Sequence, residues 1–554
     1  MPAHNSIQTL VDTLFPKGRL FMKHYRFYLS LIVLWCITAA QNHLPDERKS
    51  DWENAGILRS TGRDIVVGQV NNILEYGARN DGTHPEITQT ALQASLGNRS
   101  AAGYTAIYFP EGVYIFSRPV RIERDIRLVV IGDGANRTFF HFNFNGEENR
   151  PGFLIEKSRF IGISNLSIER QDSANYGENI RFSNDTSCWV SGVESNKAPS
   201  IHIHILNSSH IEITGCHIHH AWNYGTGGHG YGVLIGAYSS YCLVENSIFN
   251  HLRHSVILSN GPVSNVIGYN YSTDPYTTET YFGISDWPSD MCLHGHPDQS
   301  IPGPSFNLFE GNRCAFMHAD DAWYDNGPCN TYFRNKALRY GIKIYRDSPN
   351  QNVVANEIDD LEGDLADRLW KAFDIQSSGN FILGNSNLDA NPPSYPEPSE
   401  ICTNRSLYLD PHDLPDFLDN INFFPPFGAS QANRGGNGTI PAQIRWNNDT
   451  LLTVPHPYSF DPALKAERKH LRPDNQNRRR NRGVFPIFIN SYSKGSLPRR
   501  KAGRHGEIRI YDYRGRMLFE GPAKDLFLTP GAGGTAIGAG AGIVILQQNP
   551  EYNP

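Results

Sequence analysis

A short apolar run that ends in Asn and a polar turn recurs from about residue 150 to residue 390. Examples are CLVENSIF, NVIGYNYS, NLFEGNRC and FILGNSNL. Neighbouring Asn are 21 to 29 residues apart, except for one gap of 42 residues, which we interpret as two periods with one Asn missing. A repeat in the low twenties that is made of strands and turns predicts a solenoid of stacked coils. The repeating positions are Asn246, Asn270, Asn312, Asn335, Asn356 and Asn385.

A second set of apolar segments lies between the Asn-bearing strands, so each coil is predicted to contain at least two strands. Strands that stack on like strands form parallel sheets with about 4.8 Å between neighbours. Asn tolerates left-handed turns and its amide can bond to the next coil, so stacked Asn is predicted to be mainly structural. The second segments are IHIHIL at 201–206, GVLIG at 232–236, SVILSN at 255–260, MCLHGH at 291–296, AWYDN at 322–326, GIKIYR at 341–346 and AFDIQS at 372–377.

The composition of the 554 residues excludes several other classes of protein. Charged residues make up only 19%, and the chain has 50 Gly and 35 Pro, which disfavours coiled coils and long helices. The formal net charge of −6 disfavours a general nucleic-acid-binding surface, so no nucleic-acid partner is predicted. The eight Cys form no CxxC pair, so the sequence predicts neither a disulfide framework nor a zinc site.

Three consecutive motifs between residues 73 and 134 lead into the repeat. They read ILEYGARNDGTHPEITQTALQAS, AIYFPEGVYIFSRPVRI and RLVVIGDG. This stretch resembles the opening of pectate lyase-like proteins, and the resemblance extends over roughly residues 65–390. It implies an all-β fold, a right-handed parallel β-helix whose first coil is capped by a short helix. It also implies a carbohydrate-active protein, although this scaffold hosts lyases, hydrolases, epimerases and phage tailspikes, so it does not fix the reaction.

The flanking regions divide the chain into four predicted parts. Residues 1–40 form a signal segment, because the apolar run 29–40 is too short to span a bilayer and follows Lys23 and Arg26. Residues 60–400 form the β-helix, 401–505 a Pro/Asn/Arg-rich extension and linker, and 506–550 a small β-sandwich-like module. The mature chain is therefore predicted to be secreted or held at the outer cell surface, monomeric, and without a membrane span.

The C-terminal module begins with the pattern IxIYDxxGRxLxxG at residues 508–521. This pattern resembles the C-terminal sorting domain of type IX secretion substrates, which implies the type IX secretion machinery as a partner. An ordinary carbohydrate-binding sandwich is the alternative. The basic runs 478–482 and 499–505 can contact an acidic polymer, but a solvated linker is the simpler interpretation.

Side chains alternate along a strand, so residues of the second segments that face outward should line a sugar-binding groove. The outward column is predicted to contain His296, Asp325, Lys343 or Tyr345, and Asp374. A lyase that acts on a uronate polymer must neutralise the sugar carboxylate and remove the C5 proton with a base. The residues predicted to be catalytic in such a lyase are Lys343, Tyr345, Arg346 and His254. Those predicted to bind the polysaccharide substrate are His294, His296, Trp323, Arg253 and His229.

Two alternatives to a polysaccharide lyase remain open. A glycoside hydrolase needs two carboxylates, and the best acidic group is Asp320–Asp321 with Asp325, so Asp321 and Asp325 are its catalytic candidates. The GHG and IK segments around His229 and Lys343 resemble parts of polygalacturonases, but the chain order of the acidic pair differs, so that mechanism is not transferred. The second alternative is a non-catalytic, glycan-binding surface solenoid.

The loop 273–291 is the longest insertion in the repeat and carries Asp286 and Asp290. Long insertions on repeat scaffolds commonly lie on the functional side. We therefore name Asp286 and Asp290 as candidate Ca²⁺ ligands, although no EF-hand pattern is present.

Overall fold

A computed structural model describes most of the chain between residues 43 and 387. The described residues are 43–57, 67–101, 103–225, 227–278, 280–281, 284–285, 290–296, 301–320, 325–359 and 373–387, parts of 402–450, and strand backbones between 507 and 546. The chain winds through three parallel ladders of strands, one after another in each coil, which is a parallel β-helix. This confirms the predicted fold class.

The first ladder contains twelve strands, each paired in parallel with its counterparts in the coils before and after. Its strands are Val67–Asn72, Tyr104–Phe109, Ile126–Gly132, Arg159–Ser164, Trp189–Ser191, Glu212–Thr214, Leu243–Glu245, Val266–Gly268, Leu308–Glu310, Thr331–Phe333, Asn352–Val354 and Phe381–Leu383.

The second and third ladders follow in each coil and share one continuous sheet. The second ladder comprises Gly112–Phe116, Thr138–Phe142, Ser167–Arg170, Glu194–Ala198, His217–Ala221, Ile248–Asn250, Tyr271–Thr273, the first parts of Arg313–Asp320 and Lys336–Ile344, Glu357–Ile358 and Ser386–Asn387. The third comprises Val120–Glu123, Phe153–Glu156, Glu178–Ser183, Ile201–Leu206, Tyr231–Gly236, His254–Ser259, Met291–His294, the last parts of Arg313–Asp320 and Lys336–Ile344, and Phe373–Ile375.

The helical segments lie outside the ladders. Helix α1 (Pro85–Gly97) places Ala91 and Leu92 against the start of the core, as the predicted cap requires. Helix α2 (Pro441–Asn447) lies beside the second ladder. The short 3-10 turns are Asp46–Arg48, Trp52–Asn54, Ile73–Tyr76 and Asp416–Leu418. In the part of the chain that the structure describes, no helix has both the length and the apolarity to cross a membrane.

The interior of the coils is a stack of aliphatic and aromatic side chains. In the strand Thr138–Phe142, Phe140 and Phe142 point inward and are fully buried. The ring of Phe142 stacks on its register partner Phe116 of the preceding coil, with centroids 5.2 Å apart, and Phe140 meets Phe109 of that coil edge-on at 4.6 Å. Each such side chain contributes about 1.5–3 kcal/mol through burial, so stacking like residues on like residues stabilises the register as well as the fold.

The stacked Asn predicted from the repeat form a continuous ladder. The Nδ2 of Asn270 donates to Oδ1 of Asn312, which repeats from Asn312 to Asn335, from Asn335 to Asn356 and from Asn356 to Asn385, at 2.9–3.1 Å. Each Oδ1 in the next coil also accepts from the preceding Asn backbone N–H. The predicted structural role is therefore confirmed for these five positions.

Two details of the predicted repeat are wrong. Asn246 is not a member of the ladder, because Ser247 occupies that place and donates its backbone N–H to Asn270 Oδ1. Asn246 takes the left-handed conformation (φ +47°), and its side chain binds Arg445. The 42-residue gap is a single long coil, since Asn270 bonds directly to Asn312. A loop insertion, and not a missing Asn, lengthens that period.

A second amide ladder, which the sequence analysis missed, stabilises the turn before the first ladder. It runs from Asn265 through Asn307 and Asn330 to Gln351, with amide-to-amide distances of 2.9–3.0 Å. Asn380 extends it by accepting the backbone N–H of Gln351 at 2.8 Å. The periodicity of this ladder was obscured in the sequence because one coil has Gln where the other coils have Asn.

The outer side of the first and second ladders is covered by segments from both ends of the chain. Trp52 is fully buried and donates its indole N–H to the carbonyl of Phe306 at 2.6 Å. Arg334 donates to the carbonyls of Cys402 and Asn404. The described residues between 402 and 450 thus pack on the solenoid, whereas the sequence predicted an extension and linker over 401–505. Residues 451–505 lie outside the described residues.

Glu310 connects this cover to the first ladder and gives the fold a predicted pH dependence. It is fully buried and accepts hydrogen bonds from Ser406 Oγ, the Leu407 backbone N–H and Tyr269 Oη at 2.6–2.8 Å. Burial raises the pKa of its carboxyl from 4.5 to about 7, against the opposing effect of these hydrogen bonds. The folded state therefore binds a proton more tightly than the unfolded state.

We expect the contribution of Glu310 to the free energy of unfolding to be greatest below about pH 4.5 and to be lost as the pH rises through 7. Urea unfolding of the wild type and of Glu310→Gln at pH 5 and pH 8 measures this. The stability advantage of the wild type over the variant should be larger at pH 5 than at pH 8. Parallel pH curves for the two proteins would contradict the prediction.

The C-terminal strands are antiparallel, unlike those of the solenoid. They form a pair, Glu507–Tyr511 with Met517–Pro522, and a three-stranded sheet of Phe527–Gly531, Gly534–Ala539 and Gly542–Leu546. A further antiparallel pair, Thr280–Tyr281 with Ile284–Ser285, lies in the long loop of the solenoid. The predicted sorting role of the C-terminal strands stays a prediction.

Candidate functional site

The outer face of the third ladder brings together four side chains with chemically active atoms. In the strand Met291–His294, Met291 and Leu293 fill the core, so Cys292 and His294 point outward. The next coil repeats this arrangement, because Met317 and Ala319 are in the core and His318 and Asp320 point outward. Parallel register sets Cys292 beside His318 and His294 beside Asp320. We refer to Cys292, His294, His318 and Asp320 as the outer cluster.

The strand that carries His318 and Asp320 is positioned by a buried carboxylate. Arg313–Asp320 passes from the second ladder to the third without an intervening turn. At the bend, Asp290 Oδ2 accepts the backbone N–H groups of Ala315 and Phe316, at 2.6 and 3.1 Å. Its Oδ1 accepts the hydroxyl of Ser272 at 2.6 Å, and burial raises the pKa of this carboxyl.

This position of Asp290 corrects its prediction as a Ca²⁺ ligand on the loop. Only 1% of the residue is exposed, and both carboxylate oxygens are already hydrogen-bonded, Oδ2 to the backbone bend and Oδ1 to the Ser272 hydroxyl. The sequence analysis failed here because Asp290 directly precedes the strand Met291–His294 and was assigned to the loop. Asp286 lies outside the described residues, so its candidate role stays a prediction.

The atoms of the outer cluster lie close enough to act together. Cys292 Sγ is 3.0 Å from His318 Nε2, and Asp320 Oδ2 is 3.2 Å from His294 Nε2 and 3.8 Å from His318 Nε2. Cys292 and His318 are buried, while 18% of the Asp320 side chain is exposed. The cluster therefore has a closed side at Cys292 and a side at Asp320 that solvent can reach.

The electrostatics of the cluster favour an ionised carboxylate beside a neutral imidazole. Burial alone would raise the pKa of Asp320, but its contacts with His294 and His318 outweigh burial and lower it well below its usual range. Burial lowers the pKa of His294, although Asp320 opposes that effect. At neutral pH the pair therefore presents lone pairs on both members.

The next coil adds the basic and phenolic side chains that the sequence analysis predicted. Lys343 is adjacent in register to His318 on one side and to Asp374 on the other. Tyr345 follows on the same strand face, and its ring centroid is 6.0 Å from that of His318. Lys343 is buried, Tyr345 is half-buried and Arg346 is exposed. A ligand on this face can therefore reach Tyr345 and Arg346 more readily than Lys343.

His254 and Arg253 border the cluster on the preceding coil. The His254 ring lies 5.8 Å from that of His294, and it meets Tyr231 edge-on at 4.9 Å. Arg253 donates to the carbonyl of Gly225 at 3.1 Å. His254, which was predicted to be catalytic, is 4% exposed and lies against its neighbours.

His229 lies just before the strand Tyr231–Gly236 and packs against an aromatic ring. Its ring lies 4.6 Å from that of Tyr176, and it is buried. Burial lowers the pKa of His229, and the nearby positive charge of Arg253 acts in the same direction. Its predicted role in substrate binding stays a prediction.

The predicted outward column is wrong in part. In that coil, residues 317–320 are the ones paired with Met291–His294 on the third ladder, and Asp325 is an exposed residue farther along the chain. His296 follows the end of Met291–His294. His294 and Lys343 do face away from the core, but both are buried and do not form an open groove floor. Asp321 and Trp323 lie outside the described residues.

Two members of the outer cluster, Cys292 and His318, were missed as site residues, and Asp320 was considered only as part of an acidic group with Asp321 and Asp325. The signal was present in the segments CLH at 292–294 and HAD at 318–320, where two potential ligands alternate with a core residue. It was overlooked because FMHAD was not recognised as a strand of the third ladder.

A smaller cluster lies on the outer side of the second ladder. His219 Nε2 is 3.1 Å from Glu194 Oε1, and the rings of His217 and His219 stack at 4.1 Å. Burial lowers the pKa of His217 to about 2, and the positive charge of neighbouring imidazoles acts in the same direction. His217 also lies near Trp446, so this cluster is next to the covering segment.

Comparison with known proteins agrees with the fold. A family profile described as rhamnogalacturonase A/epimerase, pectate lyase-like, matches residues 70–279. No curated protein matches the chain. The matched residues lie within the solenoid, and the description of the profile agrees with a parallel β-helix.

Several solved structures match part of the chain. ORF18 of Geobacillus virus E2 is 14% identical, with a TM-score of 0.42, over 57% of this chain and 60% of that chain. The alginate lyase from Paenibacillus sp. str. FPU-7 is 13% identical, with a TM-score of 0.37, over 52% and 94%. The hyperthermoactive exopolygalacturonase from Thermotoga maritima is 11% identical, with a TM-score of 0.35, over 58% and 91%. The chain thus spans 60% of the viral protein.

Proposed function

We propose that this protein is a carbohydrate-active enzyme that cleaves a uronate-containing polysaccharide by β-elimination on the outer face of the third ladder. The observation that supports this most is the register of that ladder. It sets Lys343 beside His318, the half-buried Tyr345 ring lies 6.0 Å from that of His318, and the exposed Arg346 follows next along the chain. Strands about 4.8 Å apart also match the length of a sugar unit to order of magnitude, so successive coils can serve successive sugars.

The reaction requires one proton to leave C5 and one to reach the glycosidic oxygen. As the C5–H bond breaks, its electron pair forms the C4=C5 double bond and the C4–O bond breaks. Tyr345 is the proposed proton-transfer residue, because its phenolic group is half-exposed on this face: as a phenolate it would take the C5 proton, and as the resulting phenol it would give that proton to the glycosidic oxygen. The exposed guanidinium of Arg346 suits the sugar carboxylate, which must be neutralised while C5 carries negative charge.

Lys343 is proposed as a positioning residue. It is buried between His318 and Asp374 in register, so its ammonium contributes positive charge from below the substrate face. Its buried position argues against direct contact with a glycan.

We further propose that the chain acts outside the cell. The apolar segment 29–40 and the basic residues before it support export, and the C-terminal pattern at 508–521 supports release or anchoring through the type IX machinery. A polymeric substrate is consistent with this location, because a polysaccharide has to be shortened before uptake.

The test is a screen of the full chain against uronate and neutral polysaccharides, with and without a chelator. β-Elimination creates an unsaturated sugar, so ultraviolet absorbance should rise together with the number of reducing ends. Reducing ends without absorbance would indicate a hydrolase, and a change of sugar configuration without cleavage would indicate an epimerase. Binding without any of these changes would favour the glycan-binding solenoid, and each of the last three results would overturn the proposal.

A further inference from the structure

We propose that the outer cluster binds a divalent transition-metal ion of the zinc class. Each of its four residues offers one ligand atom, and these atoms all lie within 4.8 Å of one another. The proposal concerns metal binding by the protein alone and does not rest on the reaction proposed above.

The distances between the donor atoms fit a four-coordinate ion. Zinc-to-ligand distances of about 2.0–2.3 Å in a tetrahedron place the ligand atoms about 3.3–3.8 Å from each other. Here the three measured separations are 3.0, 3.2 and 3.8 Å. The side chains therefore need only small rotations to surround one ion.

The chemistry of the donor set distinguishes this site from the Ca²⁺ site predicted from the sequence. One thiol, two imidazoles and one carboxylate form a set of sulfur, nitrogen and oxygen donors that suits Zn²⁺ or Co²⁺. Ca²⁺ prefers six to eight oxygen ligands. A single carboxylate in this cluster falls far short of that number.

The cluster is held by the rigid part of the fold. The strands that carry it are fixed by core neighbours on both sides, Met291 and Leu293 in one coil and Met317 and Ala319 in the next. Asp290 further fixes the bend before His318, as described above. Ligands on neighbouring strands of a regular sheet keep their spacing, which lowers the cost of binding an ion.

The ring nitrogens supply an independent indication. His294 Nε2 is buried and lies 3.2 Å from Asp320 Oδ2, yet within the described part of the chain it makes no hydrogen bond of ordinary geometry. Buried polar atoms of this kind call for an explanation, and an ion is one of the standard explanations. An ion between the two residues would receive the nitrogen lone pair and the carboxylate charge together.

The smaller cluster on the second ladder is a weaker candidate. It offers three donors, Glu194, His217 and His219, and lacks a thiol. Its location on another face of the solenoid makes it a useful internal control, because substitution there should leave the outer cluster unchanged.

The experiment is metal titration of the full chain without any glycan, using Co²⁺ as the spectroscopic probe and Zn²⁺ as the competitor. We expect one tightly bound Co²⁺ per chain with a sulfur-to-cobalt charge-transfer band, which Zn²⁺ should displace. Cys292→Ser should abolish the band, and His318→Gln should weaken binding at least tenfold. Matched controls are Cys314→Ser and His202→Gln, which alter a buried thiol and a buried imidazole inside the coil.

The proposal would be overturned by three results. These are the absence of stoichiometric binding to the folded wild type, a charge-transfer band that persists in Cys292→Ser, and loss of the band in His219→Gln. Because no glycan is present, a chain that binds metal but cleaves no polysaccharide would refute only the proposed function. A chain that cleaves polysaccharide but binds no such metal would refute only this inference.

Discussion

Tyr345→Phe is expected to lower kcat/KM for polysaccharide cleavage by about 10²- to 10⁴-fold, the range attributable to one acid–base group. The substitution removes one oxygen atom and keeps the ring, whose centroid lies 6.0 Å from that of His318. Packing should therefore be preserved while proton transfer is lost. The measurement is the initial rate of ultraviolet absorbance increase on the best substrate from the screen.

The matched control for this variant is Tyr238→Phe. Tyr238 is 52% exposed and follows the strand Tyr231–Gly236, away from the outer cluster. Its activity should stay within about twofold of the wild type, and both variants should unfold at the wild-type urea concentration. If Tyr345→Phe retained wild-type turnover, Tyr345 would be excluded as the proton-transfer residue.

Asn312→Ala is expected to lower the free energy of unfolding of the solenoid by about 2–5 kcal/mol. The Asn312 side chain is fully buried and accepts from the backbone and amide N–H groups of Asn270. It also donates to the carbonyl of Ile267 and to the amide oxygen of Asn335. Alanine leaves these groups buried without their partner and breaks the ladder in the middle.

Urea unfolding followed by circular dichroism measures this loss, with Asn80→Ala as the control. Asn80 is exposed and makes a single hydrogen bond through its side chain, to the carbonyl of Glu111 at 3.0 Å. That substitution should change stability by less than about 0.5 kcal/mol. Equal unfolding midpoints for the two variants would show that the amide ladder contributes little to stability.

The sequence predicted the coils because the features that form them are local and repeat along the chain. Each apolar strand, left-handed turn and buried amide recurs at nearly the same spacing, so the pattern of one coil predicts that of the next. The same locality explains the errors at Asn246 and at the 42-residue gap. A left-handed Asn and a ladder Asn look alike in a sequence, and only the hydrogen bonds of Ser247 and Asn270 distinguish them.

The candidate site was predicted less completely than the fold. The outward orientation of Lys343 was predicted because alternation within a strand is a local property. The roles of Lys343, Tyr345, His294 and His254 stay predictions. The grouping of Cys292, His318 and Asp320 was missed because their proximity depends on which strand of one coil lies beside which strand of the next. A one-residue error in register or a misassigned strand moves every partner to the wrong face.

The sequence by itself determined the stacking of coils, the inward apolar positions and most of the buried amide ladder, since these follow from periodicity along the chain. The tertiary structure alone decided that Asp290 supports a backbone bend and that Cys292, His294, His318 and Asp320 converge. The physical reason is that hydrogen bonding between parallel strands fixes register across 26 residues of chain, from Cys292 to His318. No local sequence pattern predicts this separation along the chain, because it depends on the length of the intervening loop.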